Sequence, residues 1–268
     1  MRIVSWNIER GYHPHAIVKQ LQDLKADVYL LYELDRGNKR THGVDMFTMI
    51  KEGLGLAGEY VREFKEIDSV WRRIIPWGGP GGGEIGNAIF SRYSILNYHS
   101  IELPTQSPLI YQRTTLIPEL FQPRLGCRQA QIFEIETECG RLTVASAHLE
   151  LWRAGWKHRL KQLDTVIQQI NSKNVILAGD FNNIGGALRA SLLRDHGSGE
   201  VRHIRQWLKK QALTDPFDDI DTTCGRFGIK AKIDWIAGSA TLKIEAVRLI
   251  HTALCDHSCL VVDYSMSG

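Results

Sequence analysis

The feature that most constrains the fold is a pattern that occurs twice along the chain. In the first half, the apolar run "IVSWNIE" is followed by the amphipathic segment "HAIVKQLQDLKA" and then by "VYLLYELD". In the second half, "TVASAHLE" is followed by "KHRLKQLDTVIQQI" and then by "VILAGDFN". Each apolar run is typical of a buried strand, and each ends in polar residues. The pattern predicts two packed β-sheets with helices outside and polar groups gathered at one rim.

The remaining strands and helices follow from the same two periodicities. Besides the helices in the two amphipathic segments, a third is expected over Ala187–Arg194 and a fourth over Val201–Leu213. The predicted strands are Arg2–Trp6, Asp27–Glu33, Asn87–Ser91, Gln129–Ile135, Leu142–Ala147, Asn174–Ala178, Ile233–Ala237, Lys243–Leu249 and Ser258–Asp263.

A chain of 268 residues is long enough for one large α/β domain, and no low-complexity linker divides it. We therefore expect a single domain over residues 1–268. The glycine-rich piece "WGGPGGGEIGNAIF" contains a G-x-G-x-x-G at Gly81, Gly83 and Gly86. The dinucleotide-binding form of that motif leads into a helix, whereas "NAIFSR" is strand-like, so we interpret the piece as a loop.

Charge and cysteine content exclude some classes of protein. The net charge of +3 permits a polyanionic substrate without requiring one. Five irregularly spaced cysteines do not form a disulfide framework. Cys255 and Cys259 flank Asp256 and His257, but a structural zinc site would need a second Cys or His pair, and none stands out. With neither a signal-peptide core nor a membrane-length apolar run, we expect a cytoplasmic monomer.

Polar residues end an unusual number of the apolar runs. Taken singly, each has an ordinary explanation as a turn residue, a cap or a buried histidine. Together they supply oxygen ligands that suit Mg²⁺ or Mn²⁺ and two histidines for acid–base work or phosphate contacts. Metal-assisted hydrolysis of a phosphate ester is the leading prediction. The set comprises Asn7, Glu9, Glu33, Asp35, His148, Asp180, Asn182, Asp234, Asp256 and His257.

These motifs resemble those of the endonuclease/exonuclease/phosphatase superfamily, which has the DNase I-like fold. "SWNIE", "LLYELD", "GNAIFSRYSI", "SAHLE", "GDFNN", "KIDWIAG" and "CDHSCLVVDY" match its motifs in order. Two positions depart from the family pattern, with Tyr32 in place of the usual Gln and Cys255 in place of the usual Ser. The resemblance implies an α/β (α+β) four-layer sandwich of two mainly antiparallel sheets flanked by helices.

The resemblance also implies a role for each matching residue. Glu33 and Asp256 would hold Mg²⁺ with Asn7 beside it. Asp180 would orient or deprotonate the attacking water, which Asn182 would fix. We expect Asp234 to hydrogen-bond a ring nitrogen of His257, and this pair would contact the phosphate or act as the base. His148 would bind a phosphate oxygen or assist the leaving group. The choice of base between Asp180 and His257 stays open.

Nucleic acid, as DNA or RNA, is the leading substrate. The segments "LWRAGWKHRLKQ" and "VRHIRQWLKK" mix basic and aromatic residues that could track phosphates and stack on bases. The alternative for both is an amphipathic helix with its Trp packed inward. Arg40, Arg124 and Arg128 are candidate substrate contacts. Asp35 stands where abasic-site enzymes typically carry Lys, which counts against that subclass.

Two other functions remain open at this point. One is a phosphatase or phosphodiesterase acting on a phosphoinositide, another lipid or a small phosphate ester. The other is a non-catalytic binding module, which is disfavoured because no catalytic position is lost.

Overall fold

The computed structural model describes residues 1–70, 72, 79–105, 123–151, 154–183, 199–219, 221–226 and 229–266. The helices in these residues are α1 (Pro14–Leu24), α2 (Met46–Leu54), α3 (Trp156–Ile167) and α4 (Gly199–Lys210), with a 3₁₀ turn at Lys39–Thr41. The strands are β1 (Arg2–Arg10), β2 (Val28–Arg36), β3 (Ala57–Glu66), β4 (Glu84–Ser91), β5 (Ile95–Glu102), β6 (Arg124–Gly126), β7 (Gln129–Thr137), β8 (Gly140–His148), β9 (Val175–Asp180), β10 (Leu213–Thr214), β11 (Cys224–Arg226), β12 (Ile229–Ala231), β13 (Asp234–Ser239), β14 (Leu242–Ile250) and β15 (Cys259–Met266).

The strands form two large sheets and a small hairpin. The seven-stranded sheet has the order β14-β15-β1-β2-β4-β3-β6, and the six-stranded sheet has the order β10-β13-β9-β8-β7-β5. Within them, β1–β2 and β8–β9 are parallel pairs, and the other neighbouring strands are antiparallel. The parallel pairs are the two strand–helix–strand units that the repeated sequence pattern predicted.

The core has three layers of side chains because β2 and β9 are buried on both faces. Successive strand residues point to opposite faces. Leu30 and Ile176 therefore pack between the two sheets. Leu31 packs against α1 and α2, and Leu177 packs against α3 and α4. Each such leucine stabilises the fold by about 1.5–3 kcal/mol when fully buried. The predicted four-layer, mainly antiparallel sandwich with DNase I-like architecture is confirmed.

All nine predicted strands are present, and three of the predicted helices match α1, α3 and α4 within a few residues. The prediction over Ala187–Arg194 lies outside the described residues. The sequence analysis missed α2, β3, β5 and four short strands. β3 and β5 were missed because charged and polar side chains interrupt them, as in "AGEYVREFKE".

The glycine motif is part of the sheet. Gly86 lies inside β4, and a Cβ atom there would come within 2.0 Å of the Val61 carbonyl oxygen in β3. Only glycine allows this close approach of two backbones. The segment leads into a strand, as the sequence analysis expected. Among the described residues, no helix has the length and apolar character needed to cross a membrane.

Candidate active site

The parallel strand pairs bring the predicted polar residues to one edge of the sandwich. Asn7 and Glu33 lie towards the ends of β1 and β2. His148 and Asp180 are the last residues of β8 and β9, and their Cα atoms are partners in the ladder. β13 runs antiparallel to β9, so its first residue, Asp234, is the Cα partner of Asp180 on the other side. Strand direction thus explains why these residues meet.

Asp256 and His257 reach the same edge from the loop before β15, which pairs antiparallel with β1. The Asp256 backbone N–H donates to Glu9 Oε2 at 3.1 Å, and the Trp6 indole donates to the His257 carbonyl at 3.2 Å. These two bonds fix the loop onto β1. Glu9 was included among the polar residues that end the apolar runs, but no role was predicted for it. In the structure its carboxylate supports the loop that carries Asp256 and His257.

Asp180 lies at the centre of the site. Its Oδ2 accepts a hydrogen bond from Asn7 Nδ2 at 3.0 Å, and its Oδ1 accepts one from the Asn182 backbone at 2.9 Å. The same Oδ2 lies 3.6 Å from His148 Nε2 and 3.9 Å from His257 Nε2. One carboxylate therefore stands between two imidazoles.

Asn182 adopts a left-handed conformation with φ of 50°. Its side-chain amide donates to the Leu149 carbonyl at 2.9 Å, which ties the end of β9 to the end of β8. A positive φ in a residue other than glycine costs about 1–3 kcal/mol and is concentrated at functional sites.

His257 is paired as predicted. Its Nδ1 lies 2.9 Å from Asp234 Oδ2, and both side chains are buried. The Asp234 backbone N–H is held in turn by Thr223 Oγ1 at 2.9 Å. Burial by itself lowers the pKa of a histidine, but the Asp234 carboxylate and the neighbouring Cys224 together outweigh burial and hold the pKa of His257 well above its usual value.

His148 has a carboxylate and an arginine behind it. Arg128 Nη1 lies 2.8 Å from both His148 Nδ1 and Glu63 Oε2, and Glu63 Oε2 lies 3.2 Å from the same ring nitrogen. The Arg128 guanidinium and the Glu63 carboxylate both contact Nδ1, so the ring is held from behind with its Nε2 atom on the side of Asp180. The sequence analysis missed Glu63, since no local motif marks an acidic residue within a charged strand such as β3.

The backbone is irregular where the two acidic strand ends meet. Glu9, Arg10 and Glu33 have φ values of 44°, 68° and 58°. The strand register shifts between Asn7 and Arg10 in β1 and across Glu33 in β2. Bulges of this kind redirect side chains and are common beside active sites. In this protein the irregular backbone coincides with Glu9 and Glu33, the acidic residues of the motifs "SWNIE" and "LLYELD".

Glu33 is a carboxylate held in its charged form. Burial raises the pKa of Glu33, but the positive charges of Arg10, His148 and Arg128 outweigh it and lower the pKa to about 2. An ionised oxygen donor in this position suits a hard divalent cation. Nearby, ligand atoms of Asp180, Asp234 and His257 lie within 4.8 Å of one another, which adds a cluster acidic enough to attract such an ion.

Of the predicted substrate arginines, Arg40 is buried among carboxylates. The Arg40 side chain is 1% exposed, and its guanidinium donates to both Asp35 oxygens at 2.7 and 2.6 Å and to Glu66 at 3.0 Å. Arg40 is thus committed to buried carboxylates rather than presented to substrate, and this expectation is corrected. Arg124 lies over the Phe64 ring at 4.1 Å.

The mixed basic and aromatic segments pack inward where they are described. Trp207 is buried, and its indole N–H donates to Asp164 at 2.7 Å. Trp156 stacks on His203 at 3.9 Å, which joins α3 to α4. The amphipathic-helix interpretation therefore holds for these residues, while Trp152 lies outside the described residues.

The chain matches the Endonuclease/Exonuclease/phosphatase family over residues 4–263, and it belongs to that family. Members of the family are phosphoesterase hydrolases that generally use a divalent metal, and the chain is an enzyme of this class.

Solved structures share the fold over essentially the whole chain. An endonuclease/exonuclease/phosphatase from Beutenbergia cavernae is 16% identical with a TM-score of 0.71, covering 100% of this chain and 72% of its own. The human Nocturnin catalytic domain with bound sulfate is 19% identical with a TM-score of 0.67, covering 100% and 93%. A humanized D. rerio TDP2 is 17% identical with a TM-score of 0.62, covering 99% of each chain. No curated protein matches the sequence.

Proposed function

We propose that the protein is a Mg²⁺-dependent phosphodiester hydrolase that acts on nucleic acid. The observation that carries the proposal is the position of Asp180 between two histidines, each backed by a buried carboxylate. A carboxylate in this setting can orient a water molecule while the imidazoles handle protons or phosphate oxygens.

Glu33 and Asp256 would hold the divalent cation, with Asn7 beside them. The ionised Glu33 carboxylate and the oxygen-rich donor set fit Mg²⁺, with Mn²⁺ as a substitute. When bound, the cation would supply charge stabilisation to the phosphoryl oxygens. The closeness of the Glu33 and Asp256 carboxylates, expected to be within ~8 Å for coordination lengths of about 2.1 Å, stays a prediction.

The chain's own residues would divide the remaining work. Asp180 would orient or deprotonate the attacking water, and Asn182 would help to fix it. The Nε2 atom of His148 lies on the side of Asp180, where it would bind a phosphate oxygen or assist the leaving group. His257, charged by its pairing with Asp234, would stabilise negative charge on the phosphate.

Positive charge next to the proposed metal ligand is compatible with a polyanionic substrate. Glu66 lies among arginines, and burial raises its pKa less than their charges lower it. Arg10 acts on both Glu66 and Glu33, so the positive region reaches the proposed metal ligand. Such a field attracts phosphate-rich ligands. The arginines around Glu66 are Arg10, Arg40, Arg72 and Arg124.

The fold neighbours also point to nucleotide chemistry. One is described as ANGEL2, a 2′,3′-cyclic phosphatase, in complex with adenosine-2′,3′-vanadate. At 16% identity it shows the fold alone for this chain. It nonetheless makes a small phosphate ester the second candidate substrate, in place of a polynucleotide.

A substrate panel tests the proposal. Single- and double-stranded DNA, RNA, a 2′,3′-cyclic nucleotide and phosphoinositide vesicles would be incubated with the protein in Mg²⁺ or EDTA. We expect Mg²⁺-dependent cleavage of a polynucleotide, and loss of cleavage in His257→Ala. Hydrolysis of only the cyclic nucleotide or the phosphoinositide would replace the proposed substrate. Hydrolysis of none of them by folded protein would contradict the proposal.

A further inference from the structure

A cysteine lies against the histidine of the proposed site. Cys224, the first residue of β11, forms an isolated β-bridge with His257 and is 5% exposed. Backbone bonds on both sides hold it there: Gly225 N–H donates to the Asp256 carbonyl at 2.9 Å, and Ser258 N–H donates to the Thr223 carbonyl at 2.6 Å. The Cys224 sulfur lies within 4.8 Å of a ring nitrogen of His257.

Cys224, Asp256 and His257 present three different ligand atoms to one point. A sulfur, a carboxylate oxygen and a ring nitrogen all lie within 4.8 Å of one another. The His257 Nε2 and Asp256 Oδ1 atoms are 3.8 Å apart, close to the ~3.4 Å edge of a tetrahedron with bonds of about 2.1 Å. Small side-chain rotations would bring all three onto one tetrahedral ion.

The other ring nitrogen of His257 supplies an independent argument. Metal-binding histidines almost always donate their second N–H to a carboxylate or carbonyl, which fixes the ring. His257 Nδ1 already has Asp234 Oδ2 at 2.9 Å, so Nε2 is the nitrogen left for an ion. The ring is therefore oriented as a ligand before any metal arrives.

A cleft gives an ion access to two of the three ligands, Asp256 and His257, and Cys224 lies next to its wall. It has a volume of about 540 Å³ and opens between the β11–β12 hairpin and the end of β14. Asp256 and His257 form part of its wall, together with Lys230 and His251. Solvent in this cleft would complete the coordination of an ion held by the three side chains.

We propose that Cys224, Asp256 and His257 form an inhibitory site for a thiophilic divalent cation such as Zn²⁺. Binding forms a Zn–S bond and a Zn–N bond as the thiol S–H bond and the His257 Nε2–H bond break, and both protons leave to solvent. Mg²⁺, which prefers oxygen ligands, does not compete for the sulfur. The inhibitory effect rests on the proposed function, because a bound Zn²⁺ would prevent His257 and Asp256 from taking part in hydrolysis. The binding of Zn²⁺ itself does not rest on the proposed function.

Cobalt spectroscopy tests the site without any activity. Co²⁺ replaces Zn²⁺ in tetrahedral sites and gives a thiolate-to-metal charge-transfer band when a cysteine binds it. We expect this band in wild type and in Cys139→Ser, which removes an exposed cysteine, and not in Cys224→Ser. Absence of the band in wild type, or its persistence in Cys224→Ser, would overturn the site.

Zinc titration of the hydrolase tests inhibition. Each variant would be assayed in saturating Mg²⁺ and compared with its own zinc-free rate. Loss of the Cys224 ligand should raise the half-inhibitory Zn²⁺ concentration by at least about 10-fold, since even outer-shell changes weaken metal sites by 10–100-fold. Cys224→Ala is the second variant if Cys224→Ser does not fold. Equal inhibition of wild type and both variants would refute the inhibitory role.

The two experiments separate this proposal from the proposed function. A cobalt band in a protein that hydrolyses nothing would support the site and count against the hydrolase. Hydrolysis in Mg²⁺ without a cobalt band would support the hydrolase and count against the site.

Discussion

His257 Nδ1 and Asp234 Oδ2 lie 2.9 Å apart at the buried edge where β13 begins and β15 is about to begin. Asp234 begins a strand of the six-stranded sheet, and His257 lies in the loop that leads into β15 of the seven-stranded sheet, so this hydrogen bond links the two sheets at the proposed site. It confirms a pairing expected from the sequence, and it leaves Nε2 of His257 facing Asp180 at 3.9 Å. Four tests of the surrounding geometry follow from it and its neighbours.

His257 and Asp234 should behave as one unit in catalysis. We expect His257→Ala to lower phosphodiester hydrolysis by about 10²–10⁴-fold, the range for positioned acid–base groups. Asp234→Ala should cause a large part of the same loss, and the double variant should be little worse than His257→Ala. Steady-state rates of the three variants form the cycle. Losses that simply multiply would show that the pair does not act together.

Asp180→Asn should separate catalysis from folding. The new side chain keeps the acceptor for the Asn182 N–H but turns an N–H₂ group towards Asn7 Nδ2. We expect hydrolysis to fall at least ~10²-fold. Stability should change by only about 1 kcal/mol, the value of one hydrogen bond. Full activity in well-folded Asp180→Asn, measured beside its melting curve, would remove this residue from the mechanism.

Arg40→Met should damage stability and leave substrate binding intact. The change strands the buried Asp35 carboxylate and leaves Glu66 with Arg72 as its paired arginine, and breaking a buried pair from one side costs about 3–5 kcal/mol. Urea unfolding measures the loss, and KM for the folded fraction should stay the same. Arg62→Met is the matched control, since its pair with Glu84 is exposed and contributes about 1 kcal/mol or less. A raised KM with unchanged stability would restore Arg40 as a substrate contact.

Glu66 should give the fold a dependence on acid pH. Burial raises the pKa of Glu66, but the charges of Arg40, Arg72 and Arg124 lower it by more. The pKa of Glu66 in the folded protein therefore lies below the ordinary 4.5. A carboxylate with a depressed folded pKa stabilises fully above its unfolded pKa, and that contribution is lost as pH falls through the folded pKa. The difference in unfolding free energy between wild type and Glu66→Gln should be constant from pH 7 to about 5 and shrink below about 4.5. A difference that is the same at pH 3 and pH 7 would contradict this.

Much of the site was predictable because it is built from strand ends. β2 and β9 are buried on both faces, so their sequences are continuous apolar runs that are easy to recognise. The polar residue at the end of each run lies at the edge of the sandwich where the site is. Two parallel pairs with matching direction then place those ends together. Periodicity and strand direction therefore account for Glu33, His148 and Asp180.

The residues that escaped prediction are those brought in by long-range packing. Glu63 lies in the seven-stranded sheet, and it contacts both Arg128 and His148, which ends a strand of the other sheet. The sequence of its own strand, β3, is typical of a solvent-exposed strand. Cys224 reaches His257 through a hairpin that no short motif announces. Arg40 looked available because it follows Glu33 closely, but the 3₁₀ turn at Lys39–Thr41 folds it back onto Asp35.

The most direct test of the central claim is Mg²⁺-dependent hydrolysis of an oligonucleotide by wild type and by Glu33→Gln, after removal of divalent ions with EDTA. The account predicts no cleavage in the chelated wild type, recovery on addition of Mg²⁺, and a rate in folded Glu33→Gln lower by about 10²-fold or more, because metal stabilisation of the phosphoryl charge is worth several kcal/mol. Cleavage that persists in EDTA, or a wild-type rate in folded Glu33→Gln, would contradict it.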